Sequence, residues 1–201
     1  MSPAAQQLRA DLAIIASHVA PASRVLDVGC GDGALMAVLR DDHQVDARGL
    51  EIDPVNVELC VSRGLSVIQG DANRDLSDYP DGAFDYAILS QTLQTAQRPD
   101  RMLYELLRVG RQAFVSFPNF AYWRMRFSLL FHGRMPVTRH LPVSWYETEN
   151  IHHLTIADFE SLIGHMGVKV EASWFFSQGK ATGAFHANWN AEHAVYQLSR
   201  S

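Results

Sequence analysis

Only two of the 201 residues are cysteine, Cys30 and Cys60. Two thiols make no disulfide framework, and a reducing compartment suits them. No apolar run is long enough to span a bilayer, and the amino terminus lacks the basic and apolar regions of a signal peptide, so a cytoplasmic protein is expected. Positive charge is not in excess either. Seventeen Lys and Arg stand against 22 Asp and Glu, for a formal net charge of -5, which argues against nucleic acid or an anionic membrane as partner. The histidines are scattered without ligand spacing. Adjacent His152 and His153 point in different directions with no Cys or carboxylate cluster beside them, so they read as structural or interface residues and no metal site is expected. There is no internal repeat and no low-complexity segment. With 47% apolar and 19% charged residues, the chain has the composition and length of one folded domain, residues 1–201.

Helical and strand patterns alternate along it, as an open parallel α/β sheet requires. Leu8, Leu12, Ile15 and Val19 share one helical face, giving a leading helix that ends near Pro21. Strands are expected at Arg24 to Val28, Val45 to Leu50, Leu65 to Gln69, Phe84 to Leu89 and Ala113 to Phe117. Helices are expected from Gly33, from Pro54 to Gly64 and from Pro99 to Val109. Thr155-x-x-Asp158 reads as a capping box ahead of Phe159, Leu162, Ile163 and Met166. Val168 to Phe176 and Ala194 to Leu198 then form a terminal pair of strands.

The first strand-to-helix turn, Asp27-Val28-Gly29-Cys30-Gly31-Asp32-Gly33, carries an acid and three glycines. Glycine lets a ligand approach the backbone, and the following helix presents unpaired N–H groups to it. Taken alone, Gly29-x-Gly31-x-x-Ala34 also satisfies the dinucleotide pattern. The second strand ends in Glu51-Ile52-Asp53, roughly 20 residues on, where an acid would bond ribose hydroxyls. Glu51 is the better candidate, because Asp53 precedes Pro54 and reads as a helix cap. A third acid, Asp71, follows the third strand in Gly70-Asp71-Ala72. Glycine loop, second acid and third acid in this order resemble the S-adenosylmethionine site of class I methyltransferases. That resemblance implies a Rossmann-like three-layer sandwich with a mostly parallel seven-stranded sheet and an antiparallel terminal strand. It also implies that the loop runs beside the amino-acid part of the cofactor, that Glu51 holds the ribose and that Asp71 reads the adenine amino group. The cofactor-binding set is Asp27, Gly29, Cys30, Gly31, Gly33, Glu51, Ile52, Asp71, Ala72 and Ser90, with Cys30 contributing backbone rather than thiol chemistry. Ser90-Gln91-Thr92-Leu93-Gln94 lies where a methyl acceptor would approach. It contains neither an Asn-Pro-Pro-Tyr type motif nor an obvious nucleophile, so no catalytic residue is assigned. Methyl transfer does not require one, because the sulfonium is already activated.

Residues 118–151 depart most from a minimal sheet. Phe120, Tyr122, Trp123, Phe127, Leu129, Leu130, Phe131, Met135, Trp145 and Tyr146 alternate there with Arg124, Arg126, Arg134 and Arg139. Aromatics and arginine favour a partner surface; a lid over the acceptor and a subsidiary core are the alternatives. Here a narrower resemblance enters. Residues 25–35, Leu-Ser-Gln-Thr-Leu-Gln (89–94), Arg-Pro-Asp-Arg (98–101), Val-Ser-Phe-Pro-Asn-Phe (115–120), Gly-Arg-Met-Pro-Val-Thr (133–138) and Trp-Tyr-Glu-Thr-x-Asn-Ile-His (145–152) resemble the MetW family of methionine-biosynthesis proteins. The resemblance runs from about residue 22 to 168. It implies a site for S-adenosylmethionine or S-adenosylhomocysteine and a partnership with homoserine O-acetyltransferase, with Trp123, Arg124, Trp145 and Tyr146 as the candidate surface. Two functions follow: a cofactor-binding subunit that activates homoserine O-acetyltransferase, or an active methyltransferase on a small molecule such as a carboxylate. From about Ala172 onward no motif is assigned.

Overall fold

The computed structural model describes residues 8–137 and 144–200. In chain order, α1 (Ala10–His18), β1 (Arg24–Val28), α2 (Ala34–His43), β2 (Asp46–Glu51), α3 (Pro54–Ser62) and β3 (Ser66–Gln69) build one half of the sheet. A single-turn α4 (Ala72–Asp75) leads to β4 (Phe84–Ser90), α5 (Pro99–Val109) and β5 (Gly110–Pro118). After α6 (Trp123–His132) and α7 (Ile156–His165), the chain closes with β6 (Val168–Ser177), β7 (Lys180–Thr182), α8 (Ala187–Asn190) and β8 (His193–Arg200).

The strands form one eight-stranded sheet in the order β3-β2-β1-β4-β5-β8-β6-β7. Strands β1 to β5 pair in parallel, and β8 runs antiparallel between β5 and β6. This is the class I methyltransferase-like arrangement, mostly parallel with an antiparallel carboxy-terminal part. The chain works outward from β1 to β3 and then returns to place β4 on the other flank of β1. The crevice at the carboxyl ends of β1 and β4 is therefore the topological switch point, where open α/β sheets bind ligands.

One strand exceeds the seven expected. Gln178 and Gly179 both have positive φ, 51° and 74°, which makes a two-residue hairpin turn and folds Lys180–Thr182 back on β6. Gln-Gly is a less familiar turn pair than Asn-Gly, so the signal was faint in the sequence. Within the 118–151 region the structure adds a ten-residue helix, α6. Thr138 and Arg139 of that region lie outside the described residues.

Strand alternation sorts the core into layers. Val25, Ile88, Phe114 and Val195 face α1 and α2, meeting Ile15, Leu35, Val38 and Leu39. Leu26, Leu89, Val115 and Leu198 face the other way, toward Leu103, Leu106 and Leu107 of α5 and Ile156, Phe159 and Ile163 of α7. A third cluster joins Met36 of α2, Cys60 of α3, Cys30 and Leu65 under the ligand loop. The capping box exists as drawn: Thr155 Oγ1 accepts from the Asp158 N–H at 3.1 Å, and Asp158 Oδ2 accepts from the Thr155 N–H at 3.1 Å. Thr155→Ala removes this cap from the helix that carries Phe159 and Ile163, and is expected to cost about 1 kcal/mol, read as a lower urea midpoint with unchanged slope.

Candidate ligand site at the carboxyl end of the sheet

The Gly29–Gly33 turn follows β1 directly, and all three of its glycines have positive φ, between 55° and 75°. Two of them are required by packing. A Cβ on Gly29 would lie 2.6 Å from Thr92 Oγ1, and one on Gly33 would collide with Leu65 and come within 2.8 Å of Cys60 Sγ. Gly31 is different, since nothing lies within 4 Å of the position its Cβ would take. The peptides on both sides of it are held: the N–H donates to Glu51 Oε2 at 2.7 Å, and the carbonyl accepts from the Cys60 thiol at 3.2 Å. The open side of the loop thus faces a cavity of about 360 Å³, bounded by Asp27, Gly29, Cys30, Gly31, Asp32, Ala34 and Leu35 from this segment. Ser90, Gln91 and Thr92 after β4, and Leu8, Arg9 and Leu12 near α1, complete its walls.

Three acids are buried around this cavity, each treated differently. Glu51 is satisfied: besides Gly31, the N–H groups of Ile52 and Asp53 both donate to its Oε1 at 2.9 Å. A carboxylate has roughly four acceptor positions, so about one is left open. Asp11, 2% exposed, accepts through Oδ2 from the hydroxyls of Ser90 (3.1 Å) and Ser116 (3.0 Å) and from Arg9 (3.2 Å). It fastens α1 to the paired ends of β4 and β5, where Ser90 and Ser116 stand in register. Asp27, 3% exposed, lines the cavity, and its carboxyl accepts no hydrogen bond from any described residue. Burial first, and then the nearby negative charge of Glu51, push its carboxyl up to about 7, against a smaller opposing pull from Arg9. An acid left in that state has its natural partner in a cationic ligand group, and an α-ammonium or a sulfonium fits.

The residues expected from the sequence divide accordingly. Asp27, Gly29, Cys30, Gly31 and Ser90 meet around the cavity. Cys30 turns its thiol away, against Gly49, which would place a Cβ 2.6 Å from that sulfur; burial raises its pKa far out of the reactive range. Glu51 and Ile52 stand at the end of β2, the first buried and the second 62% exposed. Gly33 opens α2 beneath Leu65 rather than toward the cavity. Asp71 and Ala72 lie at the end of β3, where Asp71 Oδ1 accepts from the Asn73 N–H at 3.0 Å and caps α4. Asp71 keeps Oδ2 beside Arg74 at 3.6 Å. Asp53 is the cap of α3, as its place before Pro54 suggests.

Gln91 and Thr92 belong to the segment expected where a methyl acceptor would approach, whereas Arg9, Asp11 and Ser116 carry no expected role at the site. Ser116 offers a signal in retrospect, a hydroxyl inside the apolar run Ala113 to Phe117. Asp11 reads as an ordinary first-turn acid until the tertiary contact with β4 and β5 appears. Gln91 holds φ at 55°, a conformation that costs a non-glycine residue roughly 1 kcal/mol; its N–H donates to the Ser116 carbonyl at 2.9 Å, which keeps the turn in place beside the cavity.

The raised pKa of Asp27 sets a pH dependence. A cationic ligand needs the carboxylate, so affinity for S-adenosylmethionine is expected to rise about tenfold per unit below pH 7 and to level off above it. Asp27→Asn should flatten that profile, as read by calorimetric titration between pH 5.5 and 8.5. Stability runs the other way. A carboxyl whose folded pKa is raised contributes stability below its unfolded pKa and loses it as pH climbs toward 7. Ligand-free Asp27→Asn should therefore gain more melting temperature over wild type at pH 8 than at pH 5.

Comparison with known proteins bears on the fold and the family. The solved S-adenosylmethionine-dependent methyltransferase from Mesorhizobium loti superposes with a TM-score of 0.71 at 15% identity, covering 98% of this chain and all of that one. The [4+2]-cyclase SpnF superposes at 0.68 with 18% identity, over 94% of this chain and 80% of its own. The "Bifunctional methionine biosynthesis protein MetXA/MetW" of Rhodopirellula baltica is 37% identical over 96% of this chain and 33% of that protein. The chain spans about a third of the length of the curated relatives it matches. The family model described as methionine biosynthesis protein MetW matches residues 9–198, and the chain belongs to the MetW family.

Proposed function

We propose that this protein is a cofactor-binding subunit that docks on homoserine O-acetyltransferase and raises its activity. The observation that carries this reading is the relative in which MetXA and MetW form one bifunctional protein. Its MetXA part corresponds to the homoserine O-acetyltransferase implied by the family resemblance. Two activities joined in one polypeptide are held at high effective concentration, an arrangement that favours partners meant to associate. The methyltransferase-like fold does not decide the matter, since a cyclase shares it. Under this reading the site holds S-adenosylmethionine or S-adenosylhomocysteine, with Glu51 at the ribose and Asp71 at the adenine. The protein works in the cytoplasm beside its partner; no described helix is long and apolar enough to cross a membrane, and both described thiols are free and buried.

The docking surface is assigned to the 118–151 region. On α6, Leu130 is 73% and Phe131 69% exposed, and Trp145 and Tyr146 are 76% and 69% exposed. An aromatic ladder on α6 leads to Phe131: Trp123 meets Phe127 edge-on at 5.9 Å, and Phe127 stacks on Phe131 at 5.6 Å; Trp145 and Tyr146 meet each other edge-on at 5.7 Å. Arg124 lies over the Trp123 ring at 5.2 Å and Arg126 over Trp189 at 5.1 Å. Rigid aromatics backed by arginine supply the anchors that interfaces use at their energetic centres. Linkage to the cofactor requires that it bind the docked and free states unequally.

A second reading, methyl transfer to a small acceptor, is favoured by the cavity beside Ser90 and Gln91. One experiment separates the two. Homoserine acylation by the same organism's homoserine O-acetyltransferase is followed with and without this protein, while S-adenosylmethionine consumption is monitored. Faster acylation with no consumption is expected; unchanged acylation by an active acyltransferase would overturn the activating role. Phe131→Ala combined with Trp145→Ala should weaken the activation at least tenfold in the concentration required, with S-adenosylhomocysteine affinity unchanged.

A further inference from the structure

Residues 144–152 carry two of the exposed docking aromatics, Trp145 and Tyr146, and form a strap whose hold on the rest of the molecule is narrow. Within the strap, the Glu147 N–H donates to the Ser144 carbonyl at 3.0 Å and the Asn150 N–H to Thr148 Oγ1 at 3.1 Å. Beyond it, its hydrogen bonds to described residues converge on one atom. The N–H groups of Ile151 and His152 both donate to the Gln94 carbonyl, at 2.9 and 3.0 Å. A single backbone oxygen thus anchors the strap.

Gln94 belongs to a turn, residues 91–97, with a connection toward the ligand at each end. At its start, Gln91 and Thr92 wall the cavity, and Gln94 Nε2 donates to the Gln91 carbonyl at 2.6 Å. At its end, the Gln97 N–H donates to Asn73 Oδ1 at 2.9 Å, and Asn73 Nδ2 donates in turn at 2.9 Å to Oδ1 of Asp71, the acid proposed to read the adenine. Between these ends Leu93 is buried and Thr95 Oγ1 donates to the Thr92 carbonyl at 2.8 Å, so the turn is bonded to itself and shifts as a unit. It is not at rest. Gln91 occupies the left-handed region at φ 55°, and Gln94 Oε1 is buried without a donor among the described residues. Both features cost free energy, and a turn that carries them yields to modest contacts.

We propose that the 91–97 turn couples the cavity to the docking surface. A bound ligand, packing on Gln91 and Thr92 and engaging Asp71, fixes the turn, and the turn sets Trp145 and Tyr146 for the partner through the Gln94 carbonyl. This rests on the proposed ligand and partner and adds the device that joins them. Gln94 is a positioning residue: its amide ties the cavity wall to the point where the strap is held. The effect runs in both directions, because a ligand that tightens docking is itself bound more tightly, by the same factor, once the partner has docked. Homoserine O-acetyltransferase is then engaged best by the form of this protein whose cavity is filled, and the extent of its activation follows the supply of the adenosyl ligand.

The test is a closed cycle of calorimetric titrations. The full chain is docked on the same organism's homoserine O-acetyltransferase with and without saturating S-adenosylhomocysteine, and S-adenosylhomocysteine is titrated into the chain with and without that partner. Wild type is expected to dock about fivefold tighter or more when the ligand is present, and to bind the ligand tighter by the same factor when the partner is present. Gln94→Leu, which keeps the bulk and removes the amide, should bring both factors below about twofold while each affinity measured alone stays within about threefold of wild type. A wild-type factor near one, or a ligand that weakens docking, would overturn the coupling and leave the ligand and the partner standing. Coupling that survives Gln94→Leu would overturn the role of the turn, and so would a fall in the affinities measured alone, which marks Gln94 as merely structural. Wild type that does not bind S-adenosylhomocysteine alone would remove the ligand reading, wild type that does not dock alone would remove the partner reading, and either would take this inference with it. Should Gln94→Leu fail to fold, Gln94→Met supports the same comparison.

Discussion

The backbone of Gly31 is gripped at both its N–H and its carbonyl, and the organisation of the site follows from that grip. Glu51 reaches across from the end of β2 to take the N–H, and the Cys60 thiol rises from α3 to meet the carbonyl. With both ends engaged, the loop keeps its shape without a ligand, so a ligand entering the cavity does not have to order the backbone it touches. Preorganisation of this kind reduces the entropy lost on binding. It also explains the distribution of small residues around the loop. Gly33 and Gly49 leave the volume into which the two sulfurs fit, and the thiols serve as packing and as a weak donor rather than as nucleophiles.

Three carboxyls are buried at one end of the sheet, and each meets a different set of partners. Backbone N–H groups hydrogen-bond Glu51, hydroxyls and a guanidinium hydrogen-bond Asp11, and Asp27 is left to carry the cost of burial. A group so placed makes the empty protein less stable near neutral pH than it would otherwise be, and a cation in the cavity returns that loss. Stability and ligand affinity are thereby coupled through one residue.

The parts legible in the sequence were those set by local rules. β1 and α5 begin and end where apolar periodicity and Pro99 place them, the Thr155–Asp158 box caps its helix, and Asp53 caps α3. The acid-bearing ends of β1, β2 and β3 share one edge of the sheet because parallel strands align their carboxyl termini, though of these acids only Asp27 lines the cavity. What escaped depends on distant residues. α6 carries aromatic and aliphatic side chains on more than one side and buries only Met125, so no clean stripe marks it as a helix. The Asp11–Ser90–Ser116 contact joins positions up to 105 residues apart, and nothing near Asp11 in the chain foretells it. β7 exists because of a two-residue turn whose first member is Gln178, a residue with little preference for the left-handed region.

The two outer strands of the sheet are short. β3 has four residues and β7 three. A backbone ladder that brief offers an incoming strand few hydrogen bonds, so association by extending the sheet gains little here. Any lasting contact with another polypeptide must be made by side chains. Its selectivity is then a matter of surface shape and ring placement, open to change one residue at a time without disturbing the sheet.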